Sequence, residues 1–126
     1  MDERFKIGWD RLKELDDKQG DRLIEGLKDI APSMVNYIIE FAMGDIYTRE
    51  GLSLKERELL TIASLTTLGD TAPQIKVHVR CALNIGLTPK EVTECVIHCL
   101  PYAGFPRTLN ALSAVEEVFK EREIIK

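Results

Sequence analysis

Apolar residues recur at steps of three and four along nearly the whole chain, the spacing of helices that each bury one side. Phe5, Gly8, Trp9, Leu12 and Leu15 share such a stripe and predict a first helix over residues 3–17. Leu23, Ile24, Leu27 and Ile30 mark a short second one. Pro32 opens a third, because a proline in the first turn gives up no helical hydrogen bond; this helix runs through MVNYIIEFAMG and stops near Gly44. The segment DIYTREGL is the main irregular connection. Ser53 and Glu56 then form an S-x-x-E capping box, and the fourth helix continues to Leu68.

Gly69 stops that helix, and Thr71 with Gln74 repeats the capping pattern. The fifth helix is expected to reach about Ile85, with Gly86 as its cap. Thr88, Pro89 and Glu91 give the clearest helix start, and the sixth helix carries Val92, Cys95, Val96, Cys99 and Leu100 on one stripe. Pro101 should kink or end it, since the ring crowds the carbonyl of Ile97. After YAGFP a seventh helix turns Leu109, Leu112, Val115 and Phe119 inward and leaves EEVFKERE in water. No stretch alternates as a strand would. The pattern predicts an all-α fold, one domain over residues 1–126, around the hairpin of the fourth and fifth helices.

The fourth helix changes this picture. Its run LLTIASLTTL is apolar on nearly every side, and such a helix wants to be enclosed. In 126 residues, full enclosure is expected to need a neighbouring subunit. Composition adds mainly exclusions. The chain is 44% hydrophobic and 30% charged, ordinary for a globular protein. A formal net charge of −4 and the lack of a basic patch argue against nucleic acid as a partner. The longest uncharged apolar run, about eleven residues, falls short of the roughly 20 that span a bilayer. The charged start MDERFKIGWD lacks an apolar signal region, so a cytoplasmic location is expected.

Candidate chemistry concentrates on the hairpin. His78 shares a face of the fifth helix with Ile75, Cys81, Ala82 and Ile85. It is either a core histidine satisfied by a backbone carbonyl or a proton donor in a pocket. Arg57 and Glu58 are solvated charges of a first helical turn, or groups that reach the hairpin's mouth. His98, four residues after Glu94, reads as half of a surface ion pair. Cys81, Cys95 and Cys99 form no C-x-x-C pair, and read as buried reduced thiols. No H-x-x-x-H or H-E-x-x-H occurs, so no metal is expected; there is no glycine-rich phosphate loop and no G-x-S-x-G elbow.

The blocks FAMGDIYTREGLSLKERELLTIASLTTLG, HVRCALNIGLTPKEV and YAGFPRTLNA, across roughly residues 40–118, closely resemble the carboxymuconolactone decarboxylase family. The resemblance implies an AhpD-like helical fold and a ring-shaped homo-oligomer, often a hexamer built as a trimer of dimers. AhpD-type relatives use C-x-x-C with a histidine four residues on and a glutamate upstream. Matched to His78, the two cysteine positions hold Thr71 and Gln74, so that dithiol chemistry is absent. His78 matches the histidine, and Glu58 lies near the place of the glutamate.

The decarboxylase branch also lacks the cysteine pair. Its type reaction removes a carboxylate from an unsaturated lactone, and the electrons left behind delocalise to the lactone carbonyl, so no cofactor is required. The resemblance therefore casts His78 as general acid, Glu58 as its orienting or proton-relay partner and Arg57 as a carboxylate anchor, with Arg80 and Arg107 as weaker anchors. Cys81 is placed beside the substrate. The expected function is a cofactor-free decarboxylase of a small carboxylated lactone in aromatic catabolism. Two alternatives stand beside it: a thiol antioxidant using Cys81 with His78, and a non-catalytic helical oligomer.

Overall fold

The computed structural model describes residues 2–126; Met1, the first residue of the expected single domain, lies outside the described residues. The fold is all-helical, with no strand among the described residues. The chain forms two compact units, one ending at Ser53 and the other spanning Leu54–Lys126.

In the first unit, α1 covers Glu3–Leu15. The Asp2 carboxylate accepts from the backbone N–H of Arg4 and caps its start. It ends two residues before the expected 17 because Asp16 turns extended and its side chain accepts from the N–H of Lys18. α2 is Gln19–Leu27. Its expected stripe is not buried: Ile24 and Ile30 lie exposed, whereas Gln19 and Gly20 are covered. Gly20 fits because the Trp9 ring lies where a Cβ would go.

Pro32 leads into α3, Ser33–Asn36, which runs on into a π-helical stretch, Tyr37–Ile46, that the pattern did not foretell. The wider winding brings Val35, Ile39 and Met43 inward at steps of four. It also leaves Tyr37 and Phe41 facing out. α1 crosses this stretch at backbone contact. A Cβ on Gly8 would stand 1.8 Å from the carbonyl oxygen of Ile39, so no side chain fits there. Arg4 and Asp45 close the crossing with paired hydrogen bonds of 3.1 and 2.5 Å.

The second unit is built on α4, Leu54–Leu68, and α5, Ala72–Asn84, with α6, Pro89–His98, the short α7, Leu100–Ala103, and α8, Phe105–Glu121. Its core joins Ile62 of α4, Ile75, Val79 and Ala82 of α5, Val92 and Val96 of α6, and Ala111, Ala114, Val115 and Val118 of α8. Ala111 and Ala114 let α8 lie close on its neighbours. That choice rotates the helix, so Leu109 is exposed rather than inward. Pro101 does end α6, and α7 is the additional turn that follows.

The capping box expected at α6 forms, and the one expected at α5 does not. At α6 the Thr88 hydroxyl accepts from the Glu91 N–H at 3.1 Å, and the Glu91 carboxylate accepts from the Thr88 N–H at 2.9 Å. At α5 the expected box does not form. The Thr71 hydroxyl instead donates at 2.6 Å to the Leu65 carbonyl, one of the acceptors left over at the end of α4. Gly69 and Asp70, both at positive φ, make the reversal that allows this.

Candidate active site

α4 and α5 pack side by side, and their contact holds a carboxylate and an imidazole. Glu58, one turn into α4, is fully buried. Twenty residues later, His78 of α5 points its Nδ1 at that carboxylate, 2.9 Å from Oε2 and 3.3 Å from Oε1. An ionised carboxylate only accepts, so against it Nδ1 is the donor and Nε2 the nitrogen that exchanges a proton. The ring is 18% exposed, enough to offer one edge to a small molecule. An ionised carboxylate without a partner is costly to bury, and here the imidazole supplies that partner.

Cys81 lies one turn beyond His78 on the same face. Its sulfur, a ring nitrogen of His78 and a carboxylate oxygen of Glu58 all lie within 4.8 Å of one another. Cys81 is buried, at 1% exposure, so its thiol is closed to a peroxide arriving from solvent. Three of the four residues that the sequence singled out on the hairpin are therefore brought together. Of the partners His78 can take, the Glu58 carboxylate is one.

The arginines are not gathered in the same way. Arg57 is half-buried and adjoins Glu58 in α4, about 100° round the helix. Arg80 is held by the Glu121 carboxylate through two bonds of 2.8 and 3.0 Å, which ties it to the end of α8. Arg107 lines a separate cavity of about 400 Å³ at the turn of the hairpin, together with Asp70, Thr71, Lys76 and Glu117. That cavity includes neither Glu58 nor His78. The sequence carried no signal for it, because the end of α4, the start of α5 and one side of α8 assemble it.

The remaining thiols and histidine are structural. Cys95 donates to the Leu59 carbonyl at 3.2 Å, and Cys99 to the Cys95 carbonyl at 3.4 Å. Burial, with the neighbouring Cys99 sulfur, pushes the Cys95 thiol up to about 11, and it stays protonated and unreactive. His98 forms no ion pair with Glu94; its ring leans on Tyr102, with centroids 6.2 Å apart.

Known proteins resemble this chain over most of its length. The family model described as the carboxymuconolactone decarboxylase family matches residues 32–117, which includes the hairpin entire. A 4-carboxymuconolactone decarboxylase of Acinetobacter baylyi is 37% identical over 121 residues, 95% of this chain and 90% of that protein. An uncharacterized 15.0 kDa protein of Paracoccus denitrificans is 32% identical over 79% of this chain and 75% of its own length. A nitrosuccinic acid decarboxylase of Metarhizium robertsii is 33% identical over 67% of this chain and 58% of its own length. With the helical hairpin, its buried pair and these matches in agreement, the chain belongs to the carboxymuconolactone decarboxylase family.

Proposed function

We propose that this protein is a decarboxylase of a small carboxylated lactone of the 4-carboxymuconolactone kind, acting in aromatic catabolism. The buried Glu58–His78 pair carries the reading. Two relatives named as decarboxylases support the reaction class, and one of them supports the substrate.

The chemistry needs few groups. The bond from the ring carbon to the carboxylate breaks, CO2 leaves, and its electron pair flows through the ring double bond onto the lactone carbonyl. The resulting dienolate then takes a proton on carbon. His78 supplies that proton from Nε2 when both ring nitrogens are protonated. The Glu58 carboxylate on Nδ1 compensates the positive charge and holds the ring in one orientation. Solvent reprotonates the neutral ring at its exposed edge. Arg57, next to Glu58 in the chain, is assigned the substrate carboxylate, and Cys81 part of the wall.

The same reading includes assembly. Leu60 and Leu68 of α4 are exposed, as are Phe105 and Leu109 of α8. Covering them with further copies of the chain, in a ring of three dimers, would enclose α4 as its composition demands. Sedimentation velocity reads this directly, and a monomer at micromolar concentration contradicts it.

The decisive experiment mixes the protein with 4-carboxymuconolactone in D2O and follows loss of the substrate absorbance. Turnover should release one CO2 and place one solvent deuterium on carbon. No loss of substrate at high protein concentration would overturn the substrate assignment. Product without solvent deuterium would overturn protonation by a residue in exchange with water.

A further inference from the structure

We infer that Glu58, His78 and Cys81 form a three-ligand site for a divalent cation of the zinc class. The donors are one carboxylate oxygen, one imidazole nitrogen and one sulfur, all within 4.8 Å of each other. Zinc takes these three donor types, and sites with three protein ligands keep a fourth position open for a small molecule. In a tetrahedral centre with bonds of about 2.0–2.1 Å to N and O, two such ligands stand roughly 3.3 Å apart. The Oε1 to Nδ1 distance is 3.3 Å. The sulfur lies within 4.8 Å of a His78 ring nitrogen and a Glu58 oxygen, within reach of the same ion through a turn of the Cys81 side chain.

Charge favours the same occupant. A cation of charge +2 against a thiolate and a carboxylate makes a neutral centre. That is what a site with Glu58 at 0% and Cys81 at 1% exposure requires. The ligands come from two packed helices, His78 and Cys81 one turn apart on α5 and Glu58 facing them from α4, so their separations are held by the core. Binding sends the thiol proton to solvent and moves the ring proton from Nδ1 to Nε2. A metal-bound His78 then has no second ring proton to give, so the loaded protein is a resting form with proton delivery blocked. The site itself stands on geometry and does not depend on the decarboxylase reading.

Cobalt(II) alone, titrated into the reduced, chelator-stripped full-length chain, is the direct probe. One equivalent should bind with a thiolate-to-cobalt charge-transfer band, and zinc alone should displace it one for one. Cys81→Ser should abolish the band and weaken zinc at least about tenfold, whereas Cys95→Ser and Cys99→Ser keep both. A band that survives Cys81→Ser, or one that vanishes with Cys95→Ser, overturns the assignment. Should Cys81→Ser fail to fold, X-ray absorption of the zinc-loaded wild-type protein decides. One sulfur and two or more N/O neighbours support the site, and a zinc shell without sulfur overturns it. Inactivity toward the lactone leaves these readouts untouched, so the two readings fail separately.

Discussion

Two helix crossings in this protein solve the same packing problem by opposite means. Where α1 meets the π-helical stretch, the chain removes side chains altogether: Gly8 and Gly44 bring backbone against backbone. Where α4 meets α5, it inserts a buried carboxylate and an imidazole. Glycine contact is cheap in polar groups and gives nothing for chemistry. A buried ion pair is no better than apolar packing for stability and is often worse. A contact that stability does not favour, placed at the edge of solvent, is where function is expected. Glu58 is the one charged side chain among the fully buried described residues of this unit, which sharpens the contrast.

The largest expected effect breaks the second crossing. His78→Ala should lower decarboxylation by about 10²–10⁴-fold, the usual worth of a positioned general acid. The same change strands the Glu58 carboxylate and should cost stability as well, about 3 kcal/mol. His78→Gln keeps a donor for Glu58, so it should recover melting temperature but not turnover. Recovery of both would show that the ring is structural.

The next prediction breaks the first crossing. Gly8→Ala gains up to about 1 kcal/mol of helix propensity. Against this, its Cβ meets a backbone oxygen at 1.8 Å, which must force the helices apart. Overlap should win, with a net loss of about 2–3 kcal/mol in denaturant unfolding. Gly26→Ala sharpens the point, because nothing lies within 4 Å of its would-be Cβ. That change should stabilise by about 0.5–1 kcal/mol. The two alanines together separate a glycine required by approach from one that is merely tolerated.

Smaller effects test the caps. Thr88→Ala removes an observed capping box and should cost about 1 kcal/mol by thermal unfolding. The smallest concerns acid. Backbone and side-chain hydrogen bonds from Thr88 hold the Glu91 carboxyl below its ordinary range. A carboxyl lowered on folding contributes stability above its unfolded value, near 4.3, and loses it as pH falls through the folded value. Glu91→Gln should therefore flatten the fall in melting temperature between about pH 5 and pH 3. An unchanged slope would show that the box does not feel its charge.

Much of the fold was legible in the sequence, because helices declare themselves locally. Stripes at steps of three and four, with Pro and Gly at the ends, located all seven expected helices, and Thr88-Pro89-Glu91 set the start of α6 to the residue. The misses share one cause. Thr71 has the pattern of a cap, yet a leftover carbonyl of α4 claims its hydroxyl. Leu109 has the spacing of a core residue, but the small Ala111 and Ala114 decide which way α8 rolls. The widened winding of Tyr37–Ile46 goes with a backbone crossing that no local pattern encodes.

The site divides along the same line. Helix periodicity alone placed His78 and Cys81 on one face, and placed Glu58 one turn into the preceding helix. That much follows from 3.6 residues per turn. Only tertiary packing decided that Glu58 faces His78 across 2.9 Å, that Arg80 is spent on Glu121, and that Arg107 serves another cavity. A long side chain reaches several partners from one backbone position, and the choice among them belongs to the neighbouring helix.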